Sequence, residues 1–178
     1  MLADTVDVGA GQRVLVHAAA GGAGHLPVQI AKSRGAHVVG TARAKNHRLL
    51  RSLGADELVD YVEGPFEDAV AAVDVVLDTI GGDYAARSLD TLRRGGILVC
   101  LASPFDPTAG VVEEATPRGL RTSSPLVESD RLALIAIADL VTAGKLRTEI
   151  AAMLPLAQAQ RAHELGETGQ TAGKLCCR

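Results

Sequence analysis

The residues best placed to do chemistry are those of Ala19-x-Gly21-x-x-Gly24, which stand between a short apolar run and a helix-like one. Residues 14–17 read as a buried strand, and from Gly22 the periodicity changes. Ala23, Leu26, Pro27, Ile30 and Ala31 recur at helical spacing. A glycine turn between strand and helix presents backbone N–H groups at a helix N-terminus, where a phosphate is favoured. On that reading the N–H groups of Gly21, Gly22 and Ala23 face a pyrophosphate. Gly24 lets the helix lie close to the strand. Ala19 replaces the first glycine of the strict pattern, so the motif alone also fits a tight corner with no ligand.

A second group of residues bears on which dinucleotide such a turn would take. Domains selective for NAD place an acid at the end of the second strand, where it binds the ribose 2′-hydroxyl. Here that place falls on Ala42, preceded by Thr41 and followed by Arg43, Lys45, His47 and Arg48, with no acid between Gly40 and Arg51. Cations there suit a 2′-phosphate, which points to NADP(H); the other reading is a solvated basic helix start. Asp78 and Thr79 end the fourth strand, at the carboxyl edge where open sheets bind ligands. Asp78 also suits capping of the turn that follows.

The elements that must position these residues follow from the pattern. Strands are expected at 36–41, 57–61, 74–78 and 97–102, and helices at 24–34, 44–53 and 84–93, with a short helix or turn at 65–72. Gly95-Gly96 is read as the break between the last helix and the fifth strand. Continuous apolar strands alternating with helices predict an α/β, doubly wound parallel sheet, a Rossmann fold of about six strands. Residues 103–119 read as loop and 120–127 as a sixth strand, made irregular or peripheral by Pro125. Ser129 is expected to cap a helix that buries Leu134, Ile137, Ala138 and Val141. Past Gly144 the character changes, with a strand within 145–154, a helix at 156–165 and a strand at 174–177. The division expected is a dinucleotide-binding domain, 1–145, and a C-terminal segment, 146–178.

Composition narrows the partners. The 178 residues are 47% hydrophobic and only 2% aromatic, with net charge −3. A nucleic-acid binder needs a basic face or stacking rings, so that class is set aside. No apolar stretch is long enough to span a membrane, and the first ten residues do not read as a signal peptide. Three cysteines, two of them adjacent, form no disulfide framework, and a reducing cytoplasm is expected. His17, His25, His37 and His163 do not stand at metal-ligand spacing, so no metal is expected.

Several separated motifs together resemble the medium-chain dehydrogenase/reductase superfamily, most nearly its quinone oxidoreductase-like branch. They are His17-Ala-Ala-Ala-Gly-Gly-Ala-Gly-His25, Val28-Gln-Ile-Ala-Lys32, Leu53-Gly-Ala-Asp56, Val59-Asp-Tyr61, Val75-Val-Leu-Asp78, Gly81-Gly82 and Gly173-Lys174-Leu175. The resemblance implies hydride transfer between NADP(H) and a small quinone, enone or carbonyl acceptor. It implies a catalytic domain, placed before the nucleotide domain in such enzymes and absent here, which residues 146–178 would complete. It puts Tyr61 beside the adenine ribose (a half-buried strand aromatic is the other reading) and Leu101, Ala102 and Ser103 on the nicotinamide side. A homodimer through the sixth strand is implied as well. Short-chain dehydrogenases are set aside because Tyr61 and Tyr84 are followed four residues on by Pro65 and Ser88, not lysine. Ala42 speaks against a methyltransferase. A nucleotide-binding module without chemistry and an enoyl reductase module stay open.

Overall fold

The computed structural model describes residues 6–101, 109–125 and 129–178. Its central strand is β1 (Arg13–Val16), of which Val14, Leu15 and Val16 are wholly buried. β1 pairs in parallel with β2 (His37–Thr41) on one side. β3 (Glu57–Val59) continues the sheet beyond β2. On the other side β1 pairs with β4 (Val73–Asp78), followed by β5 (Leu92–Cys100) and β6 (Arg121–Ser123). The order is β3-β2-β1-β4-β5-β6, all parallel, as the expected doubly wound sheet requires. The winding reverses between β1 and β4, so a crevice opens at the carboxyl ends of those strands.

Alternation along the strands divides the core between two faces. Val14, Val16, Val38 and Val75 pack with Val28 and Ala31 of α1 (His25–Ser33) and Leu50 of α2 (His47–Ser52). Leu15, Val39, Val76 and Leu98 pack with Phe66 of α3 (Phe66–Ala69) and Ala85 of α4 (Asp83–Ser88). Val111 and Ala115 of α5 (Ala109–Ala115) join that second face. Both faces being covered is the reason the strands read as continuous apolar runs. Pro27 is tolerated as the third residue of α1, where no intrahelical N–H bond is lost.

Several expectations are corrected. Instead of running to residue 93, the helix at 84 ends at Ser88 and tightens into a 3-10 turn, Leu89–Thr91. β5 then runs straight through Gly95-Gly96: Gly95 adopts φ +80° and the register against β4 shifts between Val73 and Val75. The glycine pair therefore bends a strand and does not end a helix. The stretch read as loop contains α5 and a 3-10 turn, Thr116–Arg118, because Val111 and Ala115 reach the core; residues 103–108 lie outside the described residues. β6 is only three residues long, and 126–127 of the expected strand also lie outside them.

α6 (Arg131–Thr142) is capped by Asp130, not by Ser129: Oδ1 of Asp130 accepts the N–H groups of Leu132 at 2.8 Å and Ala133 at 3.1 Å. Its expected inner face is exposed, Leu134 to 65%. The helix is apolar nearly all round, so periodicity cannot say which side turns inward. None of its residues is buried; Ala133, Ala136 and Leu140, with Ile137 of the expected face, line a groove across from α1. Beyond it β7 (Ile150–Leu154), α7 (Ala159–Glu167) and β8 (Lys174–Cys177) form a unit with its own parallel two-stranded sheet.

The seam between β1 and α1 is set by Gly24, where a Cβ would lie 2.3 Å from the Ala18 carbonyl oxygen and 2.8 Å from the Ala19 Cα. Both are backbone atoms and cannot swing aside. Gly24→Ala should cost at least about 3 kcal/mol, the upper end of ordinary overpacking penalties. Gly64→Ala, whose Cβ meets nothing within 4 Å, should stay within about 0.5 kcal/mol. Urea unfolding of the two variants checks the contrast.

Candidate functional site

The turn after β1 begins at Ala18, which adopts φ +44°, a left-handed conformation uncommon for a residue with a side chain. Its carbonyl accepts the Gly21 N–H at 2.8 Å. The Gly21 donor, assigned from the sequence to a ligand, is thus spent on closing the turn. Among the described residues no acceptor takes the N–H of Gly22, Ala23 or Gly24, and these three are the donors left at the head of α1. Ala19 is wholly buried against Gly40 and donates its N–H to the Thr41 carbonyl at 3.0 Å, a packing role.

A cleft of about 400 Å³ runs from this turn across the end of β2. It brings together Gly21, Thr41, Arg43, Lys45, Tyr61 and Thr79, residues the sequence singled out. Arg43, half-buried, donates from Nε to the Tyr61 hydroxyl at 3.2 Å. Exposed Lys45 reaches the Gln170 Oε1 at 3.5 Å, and Thr79 donates its hydroxyl to the His17 carbonyl at 2.8 Å. An acid does stand nearby: Asp60 follows β3 and accepts the N–H groups of Val62 at 2.9 Å and Ala44 at 2.7 Å. Those two backbone bonds hold its carboxyl below the usual range. Counting acids along the second strand alone misses it, because it comes from the neighbouring strand.

Other expected residues lie elsewhere. Asp78 is buried, and its Oδ1 accepts the N–H groups of Ile80 at 2.8 Å and Gly81 at 3.0 Å, so of its two readings the turn cap is the one formed. Ala23 and Leu101 line the groove of about 620 Å³ between α1 and α6 instead of the cleft. Gly22 faces the C-terminal strand, where a Cβ would meet the Gly173 carbonyl at 3.2 Å. Ala102 and Ser103 lie outside the described residues.

The sequence missed one wall of the cleft altogether, the stretch Gly169, Gln170 and Thr171. Nothing in local pattern marks residues 125 positions from Lys45 as its neighbours. They arrive there because the polar side of α1 grips the C-terminal segment. The buried Gln29 amide donates to the Arg147 carbonyl at 2.9 Å and accepts the Arg147 N–H at 3.0 Å. His25 accepts the Glu149 N–H on Nε2 at 3.2 Å and donates from Nδ1 to the Gly21 carbonyl at 2.8 Å. The Gly173 N–H then donates to the Ala20 carbonyl at 2.8 Å.

Below the cleft, His17 is completely buried, with Phe66 and Tyr84 edge-on to its ring at 4.5 and 5.3 Å. Its Nδ1 lies 3.2 Å from the Thr41 hydroxyl and its Nε2 2.9 Å from the Ser88 hydroxyl. Burial, aided by the nearby Arg87 charge and opposed by Glu67, lowers its pKa from 6.5 to about 4. Arg87 is held by Glu67 through two bonds of 2.8 Å and lies over the Phe66 and Tyr84 rings.

Comparison with known proteins places this architecture. Residues 53–176 match the zinc-binding dehydrogenase family. A 2-haloacrylate reductase of a Burkholderia species is 33% identical over 98% of this chain and 58% of its own length. The quinone oxidoreductase of Coxiella burnetii superposes with a TM-score of 0.91 at 38% identity, over 97% of this chain and 54% of that one. The Escherichia coli quinone oxidoreductase, solved in complex with NADPH, gives 0.85 at 28% identity, over 99% of this chain and 60% of that one. The chain spans about half the length of the curated oxidoreductases that head these matches.

His17 makes stability depend on pH. In the unfolded chain it takes up a proton below about pH 6.5, while the folded chain resists until about pH 4, so stability falls as pH drops through that window. Relative to pH 7 the loss at pH 5 should be about 2 kcal/mol, on 1.36 kcal/mol per pH unit. Urea unfolding at the two pH values checks it, and His17→Asn should flatten the difference.

Proposed function

Because the chain belongs to the zinc-binding dehydrogenase family of the medium-chain dehydrogenase/reductase superfamily, we propose that it is the NADP(H)-binding half of a quinone oxidoreductase-like enzyme. The acceptor is a small quinone, enone or carbonyl compound. The observation that carries the reading is one cleft that joins the glycine turn to Arg43 and Lys45. The residues fit the cofactor by their donors. Gly22, Ala23 and Gly24 offer N–H groups to a pyrophosphate at the head of α1. Arg43 and Lys45 offer charge to a 2′-phosphate, and the Arg43 fork suits bidentate contact. Tyr61, bonded to Arg43, fixes the approach of that guanidinium. When bound, NADPH supplies a hydride; the chain's own residues bind and orient it.

The described residues do not fit a zinc ion. No group of three or more His, Cys, Asp or Glu among them is placed to hold a metal, and His17 and His25 engage both ring nitrogens within the protein. Residues 146–178 are read as completing a catalytic domain. Two surfaces support that reading: the exposed Ile150 and Met153 of β7, and α6, where Leu132 is 75% exposed. β6 is an open sheet edge among the described residues, and a homodimer pairing through it belongs to the same proposal. So does a cytoplasmic location, which rests on three cysteines, odd in number and two of them adjacent, as a disulfide framework would not have them.

Calorimetric titration at low salt should show NADPH binding more tightly than NADH. A hydrogen bond to a charged group contributes about 1.5–3 kcal/mol, and partial exposure of Arg43 trims it towards 1–2. Arg43→Ala should therefore weaken NADPH about tenfold and leave NADH nearly unchanged. Equal loss for both cofactors would remove the 2′-phosphate reading. A second outcome concerns activity: turnover of a simple quinone by this chain alone should be slow, since positioning of the acceptor accounts for about 7–11 kcal/mol of such barriers.

A further inference from the structure

The hydrogen bonds under the glycine turn form one directed chain. The Ala18 N–H donates to the Thr41 Oγ1 at 3.3 Å, and that hydroxyl lies 3.2 Å from the His17 Nδ1. The His17 Nε2 lies 2.9 Å from the Ser88 Oγ, whose own proton goes to the Tyr84 carbonyl at 2.6 Å. Because Ser88 gives its proton to Tyr84, it must accept from Nε2; Nδ1 of the neutral ring is then an acceptor, and Thr41 must donate to it. Every donor along the path has an acceptor, and the order of protons runs one way. Thr41, His17 and Ser88 are all completely buried, so water cannot substitute for a missing link.

The chain begins at the residue under most conformational strain in the turn. Ala18 sits at φ +44°, its carbonyl holds the Gly21 N–H, and Gly24 packs on that same carbonyl. Fixing the Ala18 N–H thus fixes the frame from which the Gly22, Ala23 and Gly24 N–H groups project. The His17 backbone is tied in as well: its N–H donates to the Leu77 carbonyl at 3.0 Å and its carbonyl accepts the Thr79 hydroxyl. We propose that His17 is a positioning residue for the nucleotide turn, holding the Thr41 hydroxyl on the Ala18 N–H so that the free N–H groups at the head of α1 are preorganised for a pyrophosphate. This rests on the nucleotide reading given above. Burial keeps the imidazole neutral across the physiological range, which is the form the chain requires.

The inference predicts a loss confined to ligands that carry a pyrophosphate. ADP carries it without a 2′-phosphate; adenosine 2′-monophosphate carries the 2′-phosphate without it. His17→Leu and Thr41→Val should each weaken ADP and NADPH about tenfold and leave adenosine 2′-monophosphate within twofold. The double variant should be no weaker than the worse single, because both cut the same path. His17→Asn, which keeps an acceptor near the Nδ1 position, should recover ADP binding to within threefold. Ser88→Ala is the milder variant if His17→Leu does not fold: it leaves the ring in place but removes its Nε2 anchor, and ADP should weaken about threefold with adenosine 2′-monophosphate unchanged. Unchanged ADP binding, equal loss for all three ligands, or additive losses in the double variant would overturn the positioning role. A wild-type chain that fails to bind ADP overturns the nucleotide reading itself, and this inference with it.

Discussion

Everything in this molecule follows from how closely α1 lies against the end of β1. The contact is between backbone atoms, Gly24 against the carbonyl of Ala18, and it leaves no room for a side chain. Such an approach points the head of a helix at the crevice where the winding of the sheet reverses. At the same contact Ala18 takes a left-handed conformation, which is sustained by hydrogen bonds on both its N–H and its carbonyl. The local strain and the binding geometry are therefore one feature.

Two kinds of force hold the rest of the cleft, and they do different work. Apolar burial on both faces makes the sheet, with Val14, Leu15 and Val16 completely removed from water. The C-terminal segment is attached differently. Gln29 and His25 on α1 bind the backbone of Arg147 and Glu149, and the Gly173 N–H binds the Ala20 carbonyl. Buried polar contacts of this kind are directional, so they set register where apolar packing would allow sliding. That register is what brings Gly169–Thr171 to the cleft and Gln170 to Lys45.

The surfaces that carry the largest exposed apolar side chains are the ones that the nucleotide reading does not use. Leu132 and Leu134 on α6, Ile150 and Met153 on β7 and Leu156 beyond it are all substantially open to solvent. An interior that stopped here would leave α6 with no buried residue, although it is one of the most apolar stretches of the chain. The contrast with α1, equally accessible to the groove but anchored on its other side by Val28 and Ala31, is one of partners and not of sequence.

The sequence by itself determined the sheet, the winding and the glycine turn. These depend on local patterns: continuous apolar strands, the change of period at Gly22, and the basic run from Arg43 that follows β2. It also placed β8 at its observed residues, 174–177. Boundaries failed where two physical effects compete. Gly95-Gly96 reads as a helix stop but serves as a strand bulge, since β4 alongside supplies the pairing that local propensity lacks. The inner face of α6 was only partly legible because leucine, isoleucine and alanine run nearly all round it and leave Arg131, Asp139 and Thr142 as a weak polar side. Only the tertiary structure decided that Gly21 spends its N–H on Ala18, that Asp60 comes from the next strand to bind Ala44, that residues 169–171 wall the cleft, and that His17 joins Thr41 to Ser88. Each of these is a contact between residues far apart in the chain or a donor's choice between acceptors. Periodicity carries no information about either, because it records which residues avoid water and not which atoms they meet.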